Sequence, residues 1–166
     1  ACSVVEIDVL TGEHKILRSD IVYDIGWSLN PAVDIGQVEG AFMQGVGYIL
    51  TEQVVHQPDG EDRGRQNSVN TWRYKLPATT TVPLELNTHL IPRDVAKSVP
   101  ESPHGLFSSK EVGEPPVVLA TSVFLALKSA IRASRIERNL DGLFTLDVPA
   151  TVQEVSRALD VRFDRA

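Results

Sequence analysis

The chain has 166 residues, 42% hydrophobic and 23% charged, which allows one soluble domain with a core of its own. Sixteen Lys and Arg stand against 22 Asp and Glu, a net charge of −6. That disfavours nucleic acid as a partner, because phosphate contacts need clustered positive charge. No uninterrupted apolar run reaches the about 18 residues that a membrane helix needs, so no membrane partner is expected. The only cysteine, Cys2, has no internal disulfide partner and no second soft ligand for zinc or an iron–sulfur cluster. This agrees with a reducing, intracellular compartment; the expected localisation is the cytoplasm, with the peroxisome as the alternative. The chain lacks an initiator Met and a signal peptide and opens in a strand-like run, so it reads as a fragment of a longer protein.

In chain order, residues 4–10 alternate, with Val5, Ile7 and Val9 on one face. Thr11-Gly12 follows, then 15–25, rich in β-branched residues; the pair predicts a β-hairpin around a glycine turn. Residues 34–50 predict a helix with Asp34 as N-cap and a core stripe of Ile35, Val38, Phe42, Val46 and Ile49. Its four glycines, Gly36, Gly40, Gly45 and Gly47, each cost about 0.5–1 kcal/mol against Ala, so close approach to a neighbour or ligand is expected. Residues 57–68 read as an exposed polar loop, 70–77 and 82–91 as two strands, and 93–104 as a second loop. Residues 115–135 predict the clearest helix, opened by Pro115 and Pro116, with Ala120, Val123, Phe124, Leu127, Ala130 and Ile131 facing inward. A last short helix starts at Thr151, which has capping-box spacing to Glu154. The fold class is α+β: antiparallel β-hairpins, two long helices and a short C-terminal helix, taken as one portion, 1–166, of a larger domain.

Two stretches carry candidate chemistry. In SSKEVGEPP, residues 108–116, Glu114 precedes two prolines that open a helix. The residue before proline is pushed out of the α region, so Glu114 should lie at the helix mouth, near its positive end. The bland alternative is a carboxylate that only complements the helix dipole. In GQVEGAFMQG, residues 36–45, Gln37, Gly40, Gln44 and Gly47 share one face. Amides offer donors and an acceptor, which suits a flat heterocycle with mixed hydrogen-bonding groups; the bland alternative is tight helix packing with solvated glutamines. Lys110 either pairs with Glu114 or holds an anion. His14, His56, His89 and His104 lack metal-ligand spacing, Ser108 and Ser109 lack a neighbouring base, and no phosphate-binding glycine loop occurs. Trp27 and Trp72 read as core or edge anchors.

Read together, ACSVVEIDVLTGEHK, SDIVYDIGWSLNPAVDIGQVEGAFMQGVG, NTWRYKLP, SSKEVGEPPVVLATSVFLALKSAIRASR and LFTLDVPATVQEVSRALDVRF follow one another as in molybdenum hydroxylases. The chain resembles the C-terminal part of the molybdopterin-binding region of the xanthine dehydrogenase and aldehyde oxidase family, over nearly all of 1–163. The resemblance implies that Glu114, the glutamate of GEPP, is the general base at the molybdenum centre. It implies that Gln37, from DIGQVEG, contacts the molybdopterin–molybdenum cofactor, and that Lys110, Val112 and Gly113 line that site. Gln44 is a candidate from its helix face. No residue of this chain is expected to ligate a metal.

The activity so implied is hydroxylation of a purine, hypoxanthine or xanthine, with water as the oxygen source. An aldehyde oxidase acting on aldehydes and N-heterocycles is the alternative, and a non-catalytic interaction module the alternative of another class. The 2Fe-2S clusters and FAD are expected in other segments of the same polypeptide, the whole as a homodimer, with the isolated fragment inactive. Departures from the family pattern are extra residues near 57–68 and 93–104.

Overall fold

The computed structural model describes residues 1–92 and 109–161. The loop expected at 93–104, with His104 and Ser108, and the chain's last residues lie outside the described residues.

Strands β1 (Cys2–Ile7) and β2 (His14–Tyr23) form the expected antiparallel hairpin, from Cys2 opposite Asp20 to Ile7 opposite His14. The turn is built by Asp8, whose carboxylate accepts the amides of Leu10 (2.8 Å) and Thr11 (3.2 Å). Gly12 closes it at φ 83°, where a side chain would be strained and would meet the main chain of Val152 and Ser156. The turn starts earlier than expected, so Val9 lies in it, exposed, while Val5 and Ile7 pack against the core.

The next element, α1 (Pro31–Leu50), starts before the expected Asp34 because Asn30 is the N-cap and accepts the Val33 amide. Asp34 instead sits in the first turn and accepts the Ser28 hydroxyl. Val38, Phe42, Val46 and Ile49 are buried as expected, whereas Ile35 is only half-buried. At about 1.5 Å per residue the 20-residue helix runs some 30 Å. It carries the chain back across the sheet, and β3 (Glu85–Leu90) therefore pairs parallel to β2, from Arg18 opposite Glu85 to Tyr23 opposite Leu90. The sheet order is β1-β2-β3, with one hairpin and one crossover instead of two hairpins.

Residues 70–74 form a turn and 75–77 no regular element, not the expected strand. Asn70 adopts φ 67°, its side-chain oxygen accepts the Trp72 amide at 3.0 Å, and its carbonyl accepts from Arg73 and Tyr74. This local asparagine turn outcompetes strand pairing, and Trp72 is left 84% exposed instead of anchoring anything in this chain. The loop 57–68 is exposed as expected from Pro58 to Gln66, but Gln57 and Asn67 are partly covered and Ser68 is buried; paired bonds between Gln57 and the Arg65–Gly64 turn pinch it.

The expected helix at 115–135 is two segments, α2 (Pro116–Leu119) and α3 (Thr121–Glu137), joined through Ala120 by bonds of three-residue spacing. By length and mean hydropathy (1.5), Pro116–Glu137 passes as a membrane span. One row of it, Ala120, Val123, Leu127 and Ile131, is fully buried, with α3 packed on β1 and on α4 (Val152–Leu159), while only 22% of its apolar window is buried within this chain. Phe124 and Ala130 lie at the margin of that face. Thr151 caps α4 by accepting the Glu154 amide, but the Glu154 carboxylate pairs with Arg157, so only half of the capping box forms. Arg135 and Arg138 donate to the Ala158 and Leu159 carbonyls and so tie α4's C-terminal end to α3.

The glycines of α1 divide into two pairs. A Cβ at Gly45 would stand 2.2 Å from the Val117 carbonyl oxygen and 2.7 Å from the Ala120 Cβ, so Gly45 is where α2 lies directly on α1. Gly47 meets Pro77 in the same way, which removes it from the open face expected for it. Gly45→Ala should cost about 1–3 kcal/mol, read as a lower urea midpoint; an unchanged midpoint would show that the helices part freely. Acid should also weaken the fold. Burial lowers the His14 pKa below its ordinary value of 6.5, against the opposing effect of its bond to the Gly12 carbonyl. The folded state thus binds fewer protons than the unfolded chain just below pH 6.5, so this contribution is full above 6.5 and is lost as pH falls through the lower folded value. A His14→Gln variant should flatten stability against pH in that window; an identical slope refutes the assignment.

Candidate functional site

Beyond Tyr23, the chain at the end of β2 docks a strap formed by residues 109–112. The Lys110 amide donates to the Ile25 carbonyl at 2.8 Å, and Gly26 bridges Ser109. The Tyr23 hydroxyl donates to the Glu111 carbonyl at 3.0 Å. Burial first, then the charges of Glu111, Asp24 and Glu114, raise the Tyr23 pKa, which keeps its O–H a donor. The strap runs through Gly113 into Glu114, which lies exposed at the mouth of α2 as the paired prolines require. The Glu114 carbonyl accepts the Val117 amide at 3.1 Å, so the residue is held on its helix side as well.

From the other side, the open arc of α1 faces this mouth. A Cβ at Gly113 would stand 3.2 Å from Gln37 Oε1, so the amide of Gln37 reaches the main chain immediately before Glu114. The two motifs that the sequence singled out therefore meet, 77 positions apart (114 − 37). Val33, Gln37, Gly40, Gln44 and Tyr48 are all exposed on one face of α1. At Gly36 and Gly40 an added Cβ meets nothing within 4 Å. Gln44 shares the face, two turns beyond Gln37, and no described contact brings it to the strap.

Two candidates fall elsewhere than expected. Lys110 pairs with Asp24 at 2.5 Å, and among the described residues no ion pair joins it to Glu114. The ammonium of Lys110 first, and the Gly26 amide second, hold the Asp24 carboxyl below the usual carboxylate range. The side chain of Val112 is half-buried and packs against the hydrophobic core. Sequence reasoning missed Tyr23, Asp24 and Gly26, because nothing in local spacing pairs Asp24 with a lysine 86 positions away. Among the described residues no three His, Cys, Asp or Glu converge on a metal-sized gap.

Comparisons with known proteins bear on the family and the fold of the chain. The family model of the molybdopterin cofactor-binding domain matches residues 1–83. The rat xanthine dehydrogenase/oxidase is 48% identical over 160 residues, covering 95% of this chain and 11% of the rat protein. Bovine aldehyde oxidase 1 is 42% identical over 165 residues, covering 99% of this chain and 12% of that protein. The chain thus spans about a ninth of the length of these relatives. Among solved structures, quinoline 2-oxidoreductase from Pseudomonas putida 86 superposes with a TM-score of 0.77 at 23% identity, over 96% of this chain and 18% of that one. Aldehyde oxidoreductase from Desulfovibrio gigas gives 0.70 at 23% identity, over 95% and 15%. At these identities the superpositions establish the fold, and they bear out the α+β class.

Proposed function

Because the chain belongs to the molybdopterin cofactor-binding domain family, we propose that it supplies one wall of the active site of a molybdenum hydroxylase. The substrate is a purine, hypoxanthine or xanthine, and water is the oxygen source. The observation that carries this reading is the meeting of Gln37 with the main chain at Gly113, next to Glu114, across an open face of α1. That face fits a flat polar group: the Gln37 amide offers both donor and acceptor, and Gly36 and Gly40 leave its surroundings open.

In this reading Gln37 holds the molybdopterin–molybdenum cofactor, with the main chain at Lys110, Val112 and Gly113 along its border and Gln44 as a further amide on the same helix. The bound cofactor supplies the redox chemistry and the site of oxygen transfer. Glu114 is the general base. A carboxylate oxygen of Glu114 takes up the proton released as oxygen from water is transferred to an electron-poor substrate carbon, whose C–H bond breaks with its two electrons passing to the cofactor. Glu114 is exposed here, so exclusion of water from the base falls to other segments of the polypeptide. Those segments also carry the 2Fe-2S clusters and FAD, the whole acts as a cytoplasmic homodimer, and the isolated chain is inactive.

The higher identity to the rat xanthine dehydrogenase/oxidase than to the bovine aldehyde oxidase supports the purine over the aldehyde. The test is made on the purified full-length protein. About one molybdenum per polypeptide, with hypoxanthine turned over faster than an aromatic aldehyde, is expected. Preference for the aldehyde moves the substrate to the second class, and a metal-free, inert protein makes the chain an interaction module.

A further inference from the structure

Two side chains at the end of β2 hold the strap that leads into Glu114: Tyr23, whose hydroxyl donates to the Glu111 carbonyl, and Asp24. One carboxylate oxygen accepts the Gly26 amide at 2.9 Å and shapes the turn after β2, where Gly26 adopts φ 68°. The other takes the Lys110 ammonium, 86 positions on. The same turn presents the Ile25 carbonyl to the Lys110 amide, and Ile25 is itself buried, 1% exposed. Asp24 thus shapes the dock and grips what is docked. Four residues lie between Lys110 and Pro115: the Glu111 carbonyl is held by Tyr23 and Val112 packs on the core, while Gly113 has no side chain to anchor it, so the Lys110 and Tyr23 contacts together set how firmly the strap leads into Glu114.

We propose that Asp24 is a positioning residue for Glu114, acting through its pair with Lys110. The proposal rests on the reading of Glu114 as the base. It also gives Lys110 a different task from cofactor contact, since its ammonium is already engaged by Asp24. A proton acceptor displaced by about 1 Å can lose on the order of 100-fold in rate while substrate binding survives, and that is the signature to look for.

The test uses full-length protein carrying its cofactor, with three readouts: hydrogen exchange of the peptide spanning 109–114, molybdenum content, and the separate values of kcat and KM. Asp24→Asn should raise exchange at the Lys110 amide, leave molybdenum content and KM near wild type, and lower kcat about 10- to 100-fold. Asp24→Glu, which keeps the charge, should recover part of the lost kcat. Lys110→Gln removes the same pair from the strap side and should repeat the effect, which covers the case in which Asp24→Asn fails to fold. Unchanged exchange overturns the proposal, and so does a looser strap with normal kcat. A Glu114→Gln variant run in parallel separates the failures. If it keeps full turnover, the base reading falls and takes the positioning role with it. If it is inactive while Asp24→Asn is normal, only the positioning role falls.

Discussion

Glu114→Gln in the intact enzyme should lower turnover by about 10²–10⁴-fold, the usual contribution of a positioned acid–base group. Glutamine keeps the size and hydrogen-bonding reach of the side chain but takes up no proton at working pH. The main-chain supports of the residue, the Val117 amide and the proline-opened α2, do not involve its carboxylate, so the local fold should survive. Molybdenum content should survive as well, because the cofactor is assigned to the Gln37 face and to the strap. Loss of kcat at unchanged metal content is therefore the expected pattern. Turnover within a few-fold of wild type would remove Glu114 from the chemistry.

The second large effect is on the core that brings the two halves of the site together. Phe42 is fully buried, the largest such side chain in the described residues, and belongs to the same cluster as Ile21 of β2, Ala120, and Val123 and Leu127 of α3. It therefore joins the sheet, the helix that carries Gln37 and the helices that follow Glu114. Phe42→Ala removes its ring and leaves a void that such a packed cluster fills only partly, at a cost of about 3–5 kcal/mol. With a slope of about 1–3 kcal/mol per M, the urea midpoint should fall by roughly 1 M or more. A fall of only a few tenths of that would mean that the cluster collapses around the gap, and that this core does not fix α1 against α2.

Much of this was legible in the chain itself, and the parts that were not share a physical cause. The hairpin, α1, the buried rows of both long helices and the exposed mouth at Glu114 follow from periodicity, turn chemistry and the geometry before proline, all of which act within a few residues. The turn at 70–74 hid behind β-favouring residues because the left-handed conformation of Asn70, which stops the strand, leaves no mark beyond the asparagine. The parallel pairing of β3 depends on the length and path of the whole crossover through α1, which alternation within a strand does not encode. Asp34 is a preferred capping residue at the start of the expected helix 34–50, but Asn30, four positions earlier, forms the capping bond. Within the site, the Gln37 amide meets the main chain at Gly113, next to Glu114, so the two stretches singled out in the sequence lie side by side. The Asp24–Lys110 pair did not show in the sequence, because ion pairs made across the fold have no periodicity to announce them.

The most direct measurement is an experimental structure of the full-length protein with its molybdenum cofactor bound. It should show the Gln37 amide hydrogen-bonded to the cofactor and the Glu114 carboxylate facing the metal from the opposite side of one enclosed hollow, with Lys110 still on Asp24. A cofactor bound away from both groups, or Glu114 turned outward to bulk water in the loaded enzyme, contradicts it.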